Sequence, residues 1–131
     1  MSIVTRRIAA NGFDFAVDEA GPETGDGDRL ALCLHGFPES RFSWRRQLPM
    51  LAEMGYRAWA PDLRGYGETE PKPREVSAYL IARLMEHVAA LIDASGAKSV
   101  TLLGHTRSAA MAWPFAANRV RPLERLVIMN V

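Results

Sequence analysis

Short apolar runs alternate with amphipathic stretches along the whole chain. Residues 3–9 and 13–20 flank Asn11-Gly12, a dipeptide suited to positive φ, and predict an opening hairpin. Residues 21–28, rich in Gly, Asp and Pro, predict a surface loop, and the apolar run Leu30-Ala31-Leu32-Cys33-Leu34 predicts a central strand. A helix is predicted over 41–54, interrupted near its middle by Pro49 and ended by Gly55, with a strand at 56–60. Val76, Leu80, Leu84, Val88, Leu91 and Ile92 then share one helical stripe that Gly96 caps. A strand at 100–104, a helix at about 108–118 and a strand at 126–131 complete the pattern. Strands alternating with helices imply a mostly parallel α/β sheet with right-handed crossovers. No repeat or linker divides residues 1–131, which read as a single minimal domain.

The segment Leu102-Leu103-Gly104-His105-Thr106-Arg107-Ser108-Ala109-Ala110 falls where a strand hands over to a helix, and it puts a hydroxyl at the turn. Small residues on either side of such a turn let strand and helix cross closely. The central residue is driven into a strained left-handed conformation that exposes its side chain. Here that residue is Thr106, whose β-branch suits positive φ poorly, and Ser108 stands where the pattern usually has a second glycine. Two more loops follow apolar runs: His35-Gly36-Phe37-Pro38-Glu39-Ser40 and Asp62-Leu63-Arg64-Gly65-Tyr66-Gly67-Glu68-Thr69.

With Phe42-Ser43-Trp44-Arg45, Ala112-Trp113 and the closing run from Arg125, these motifs, in this order, resemble the α/β-hydrolase superfamily in its epoxide hydrolase and haloalkane dehalogenase branch. The resemblance spans nearly the whole chain. Members are longer, so it implies a truncated α/β-hydrolase fold: an N-terminal hairpin and a mostly parallel sheet flanked by helices, without the cap domain or the last two strands.

The resemblance also implies a nucleophile, then a carboxylate, then a histidine, in chain order. After Thr106 the sole acidic residue is Glu124, before the last strand and at its far end from the site, and no histidine follows. A triad of the usual order is therefore not available within the chain. The branch carries an aspartate at the elbow, and Thr106 has no carboxylate. That leaves either an alcohol nucleophile toward activated esters or a side chain that fills a former nucleophile site. Glu39, whose position neighbours the pocket in the related enzymes, is the candidate for an improvised base. The oxyanion hole is expected from the backbone N–H groups of Phe37 and Arg107, and Arg107, near a helix start, could also hold an anion. His35 and His105 are chiefly structural by resemblance, Asp62 is expected to stabilise its own loop, and His87 reads as a surface or boundary histidine. Pro114 predicts a kink or a late start in the elbow helix.

Composition narrows the partners. A formal net charge of +1 and dispersed arginines, with Arg45, Arg46, Arg119 and Arg121 read as solvated faces, argue against nucleic acid. Residues 1–7 lack an apolar signal core, and no run approaches the ~18 apolar residues of a membrane span, so a cytoplasmic protein without membrane contact is expected. The lone Cys33 excludes an intrachain disulfide and reads as a buried thiol. No metal-ligand spacing joins the histidines to Cys, Asp or Glu, so neither a metal nor another cofactor is expected. The apolar final strand, Leu126 to Val131, would lie at a bare sheet edge, and a homo-oligomer paired antiparallel through it is expected. The function that fits is a hydrolase of at best weak, esterase-like activity acting on a small ester. The alternatives are a non-catalytic oligomeric scaffold, a module binding a small ligand or anion, and a fragment completed by another chain.

Overall fold

A computed structural model describes residues 3–22, 27–36 and 39–129 of the chain. Strands β1 (Val4–Ala10) and β2 (Phe13–Ala20) form the expected hairpin, with Asn11 at φ 52° and Gly12 at φ 77° making the two-residue turn. Four more strands follow: β3 (Arg29–Leu34), β4 (Arg57–Pro61), β5 (Ser99–His105) and β6 (Arg125–Met129). They make one sheet in the order β1-β2-β4-β3-β5-β6, in which β3 pairs parallel with β4 and β5, and β5 with β6, while β2 runs antiparallel to β1 and β4.

The central strand β3 explains both layers of the core. Side chains of a strand alternate between faces. Leu30, Leu32 and Leu34 enter the larger apolar cluster with Val88, Leu91 and Phe115, under helices α2 (Ile81–Ser95) and α3 (Arg107–Ala117). Ala31 and Cys33 enter the smaller one with Trp44, Leu48 and Ala52, beneath helix α1 (Gln47–Glu53). Burial pushes the Cys33 thiol well up, out of the range of a reactive thiolate.

Several local expectations change. Residues 41–54 do not form one helix broken at Pro49: a 3₁₀ turn (Arg41–Trp44), with Ser40 accepting from the Phe42 N–H, precedes α1, and the break falls at Arg45–Arg46. Pro49 is the third residue of α1, where a missing N–H forfeits no helical bond. The stripe beginning at Val76 is likewise interrupted. A 3₁₀ turn (Val76–Tyr79) and Leu80, extended at ψ 148° and exposed, precede α2, whose buried face starts at Leu84. Gly96, at φ 66°, ends α2 as expected.

His87 is not a boundary residue. It is 0% exposed and stands edge-on to Phe15 at 4.9 Å and Phe13 at 6.1 Å, beneath the hairpin. Nor does α3 start late. It begins directly after Thr106, whose carbonyl accepts from the Ala110 N–H at 3.1 Å, and passes through Pro114 to Ala117. Pro114 lies near the far end of this helix, and its own carbonyl accepts from both the N–H and the side-chain amide of Asn118 at 2.9 Å, closing the last turn. Strand β6 ends at Met129; residues 130–131 of the expected final strand lie outside the described residues. Among the described residues no helix is long and apolar enough to cross a membrane.

Candidate active site at the strand-to-helix elbow

Because β3 and β5 run parallel with Leu34 beside Gly104, the loops that leave them meet at the same end of the sheet. Thr106 sits at the turn with φ 52° and ψ −113°, a conformation rarely adopted by a β-branched residue, so the elbow expected from the sequence is formed. Its N–H is anchored on the Met129 carbonyl at 3.1 Å. The crossing is as tight as the small residues suggested: a Cβ on Gly104 would lie 3.0 Å from Ala109 N and Ser108 O. A Cβ on Gly36 would overlap Thr106 Oγ1 and come within 3.1 Å of His105 Nδ1, so only glycine lets the β3 loop pack on the elbow.

Glu39 joins the same corner. Its N–H donates to Gly36 O at 2.9 Å, and its Oε1 lies 3.1 Å from His105 Nδ1. A cleft of about 160 Å³ runs beside the pair, lined by Glu39, Ser43, Trp44, Gln47, His105 and Met129. The sequence singled out Glu39 as a candidate base but not its contact with His105. The two are 66 residues apart, and only the neighbouring register of β3 and β5 signals that they meet.

His35 is fully occupied elsewhere. Its Nε2 accepts from the Leu63 N–H at 3.0 Å, so the hydrogen is on Nδ1, which donates to Gly36 O at 3.0 Å. Burial lowers its pKa against the opposing pull of that carbonyl and of Asp62 and Glu39, which keeps the ring neutral and structural. Asp62 braces its own loop as expected: it is fully buried and accepts from the backbone N–H groups of Arg41 (2.8 Å) and Glu68 (2.9 Å) and from the Arg41 guanidinium. Burial opposes the charge of Arg41, but its bonds to Glu68 and Asp18 and the neighbouring Asp62 outweigh that and raise its pKa.

The backbone N–H of Arg107 is the first of α3, where no helical acceptor exists, and its side chain reaches out to the Tyr79 carbonyl at 2.6 Å. Phe37, the other expected oxyanion donor, lies outside the described residues. Glu124 is at the opposite end of the sheet, its N–H on Val100 O at 2.7 Å and its carboxylate between Arg125 and Arg29, so it does not reach Thr106. Ser108, a departure from the motif, proves to have a partner: its Oγ donates to His35 O at 2.6 Å. Among the described residues no three His, Cys, Asp or Glu side chains gather as a metal site would require.

Comparison with known proteins agrees with this geometry. The model of the alpha/beta hydrolase fold family matches residues 32–131. Epoxide hydrolase 2 of Siraitia grosvenorii is 40% identical over 124 residues, covering 95% of this chain and 37% of the relative. Epoxide hydrolase B of Mycobacterium tuberculosis is 44% identical over 103 residues, covering 79% of this chain and 27% of the relative. The crystal structure of an epoxide hydrolase from Vigna radiata superposes with a TM-score of 0.86 at 40% identity, over 98% of this chain and 40% of that one. The chain thus spans less than half the length of the relatives it matches. It belongs to the α/β-hydrolase family, as an epoxide hydrolase-like chain that spans part of the domain.

Proposed function

We propose that the elbow supports weak hydrolysis of small activated esters, with Thr106 as nucleophile. The observation that carries this reading is the strained Thr106 packed beside the Glu39–His105 pair. Thr106 Oγ1 attacks the ester carbonyl carbon, and its proton passes to His105, which Glu39 orients and whose positive charge Glu39 offsets. The Arg107 N–H, with the Phe37 N–H that the resemblance implies, steadies the oxyanion. Collapse breaks the C–O bond to the alcohol, which leaves with the proton, and water then releases the acid from the threonyl ester. The relatives are named for epoxide opening, but Thr106 has no carboxylate to form the alkyl ester of that branch. Purified protein is assayed on a short activated ester and on an epoxide, with Thr106→Ala in parallel. Ester turnover that disappears in the variant supports the reading; no turnover on either substrate overturns it. Saturable binding of a carboxylate without turnover would favour the alternative of an anion-binding scaffold, for which the support is the N-terminus of α3 at Arg107. Turnover that needs an added polypeptide would favour a fragment completed by another chain.

For the 131-residue chain we also propose self-association through β6. Among the described residues β6 pairs with β5 alone, and its residues 126–129 carry no charge, proline or bulge that would blunt an edge. Antiparallel pairing centred on Val127, which is 37% exposed, would oppose Leu126 to Ile128 and Arg125 to Met129, with no like charges facing. Light scattering is expected to give a dimer mass that Val127→Lys reduces to a monomer; a monomeric parent chain rejects the pairing.

A further inference from the structure

Ester hydrolysis at Thr106 gives no role to Ser108. This residue is the second of α3 and is buried, and its hydroxyl reaches the main chain of a loop 73 residues earlier. The carbonyl it holds at 2.6 Å belongs to His35. The His35 ring in turn accepts from the Leu63 N–H at 3.0 Å and packs edge-on against Tyr66 at 5.0 Å. One hydroxyl therefore links the first turn of α3 to the β3 loop and, through His35, to the loop after β4. Glycine, the residue the elbow pattern usually has here, cannot make this link.

What the link holds matters for the site. The His35 carbonyl and the Gly36 N–H share one rigid peptide plane, and Gly36 is the residue against which Thr106 Oγ1 packs. We propose that Ser108 is a positioning residue, whose hydroxyl fixes the His35–Gly36 peptide and so the wall of the site facing Thr106. The consequence for turnover rests on the ester-hydrolysis reading; the locking of the loops does not.

The test compares ¹⁵N-labelled parent protein with Ser108→Ala and Ser108→Gly, by amide hydrogen exchange and by the ring nitrogen resonances of His35. In both variants the Leu63 amide is expected to exchange on the order of tenfold faster, because the backbone that carries the accepting His35 ring has lost its tie to α3. The His35 ring nitrogens are expected to drift from the fixed Nδ1–H pattern toward tautomer averaging, while amides of the β1–β2 hairpin keep their protection. On the activated ester, Ser108→Ala is expected to lower kcat on the order of tenfold with KM unchanged. Unaltered Leu63 exchange and His35 resonances in Ser108→Ala overturn the positioning role. So does a uniform loss of protection that includes the hairpin, which would make the serine a general stability residue. Turnover that survives Ser108→Ala intact overturns the link to catalysis. A parent protein that turns over no ester overturns the hydrolase reading instead, and the exchange measurement still decides whether Ser108 holds the loops.

Discussion

The Glu39 carboxylate lies 3.1 Å from Nδ1 of His105, the residue immediately ahead of the elbow threonine. Both side chains are about a third exposed, so as an ion pair they add little stability, on the order of 1 kcal/mol or less. On the proposed ester-hydrolysis reading, their value is orientation. A carboxylate on one ring nitrogen fixes the tautomer and steadies the positive charge that appears when the ring takes a proton. Glu39→Gln keeps the shape without the charge and is expected to cut ester turnover on the order of 100-fold while leaving thermal stability almost unchanged. Steady-state kinetics beside a thermal melt check it; undiminished kcat would show that His105 needs no such partner.

Thr106 should carry measurable strain. Positive φ forces a β-branched side chain against its own backbone, a cost of roughly 1–3 kcal/mol that glycine does not incur. Thr106→Gly is expected to be about 1 kcal/mol more stable than Thr106→Ala, after allowing for the greater backbone entropy that glycine loses. Denaturant unfolding of the two variants measures the difference, and an alanine variant as stable as the glycine variant would mean that the elbow relaxes.

The Arg41 cluster should be unequal in its parts. Asp62 is fully buried, whereas the Glu68 side chain is 68% exposed, although the same guanidinium reaches both. Arg41→Met leaves the Asp62 carboxylate buried with, among the described residues, backbone N–H donors in place of a charge, and is expected to cost about 3 kcal/mol or more. Glu68→Gln should stay within about 1 kcal/mol. Equal losses in urea titrations would contradict the difference in burial.

Strands β3 to β6 were legible because each carries a short apolar run, and the β1–β2 hairpin because the residues of its Asn11-Gly12 turn tolerate positive φ. Local breaks were not. Leu80 keeps the helical spacing of its stripe while its backbone is extended, since spacing reports which residues are apolar and not their ψ. At the site, Gly104, Thr106 and Ser108 announced the elbow itself. The partners of Glu39 and Ser108 lie 66 and 73 residues away, and only the parallel register brings them together. His87 was misplaced by its polarity, although its spacing from Leu84 and Leu91 set it on the buried stripe.

That buried histidine should govern the acid limb of stability. Its ring packs against Phe13 and Phe15, and among the described residues neither nitrogen has a hydrogen-bond partner. Burial, helped by the nearby positive charge of Arg64, lowers its pKa to about 3. In the unfolded chain the ring titrates near the ordinary value of about 6.5. Between these two values the unfolded state binds a proton that the folded state refuses, so stability is complete above about pH 6.5 and falls as pH drops toward about 3. The slope is about 1.4 kcal/mol per pH unit, or about 2 kcal/mol lost by pH 5. His87→Phe or His87→Leu removes the titrating group while keeping an apolar filling, so its unfolding free energy should decline less between pH 7 and pH 5 by about that amount. Urea unfolding of parent and variant at both pH values measures the difference directly. Parallel losses in the two proteins would mean that His87 is protonated as easily in the folded core as in the unfolded chain.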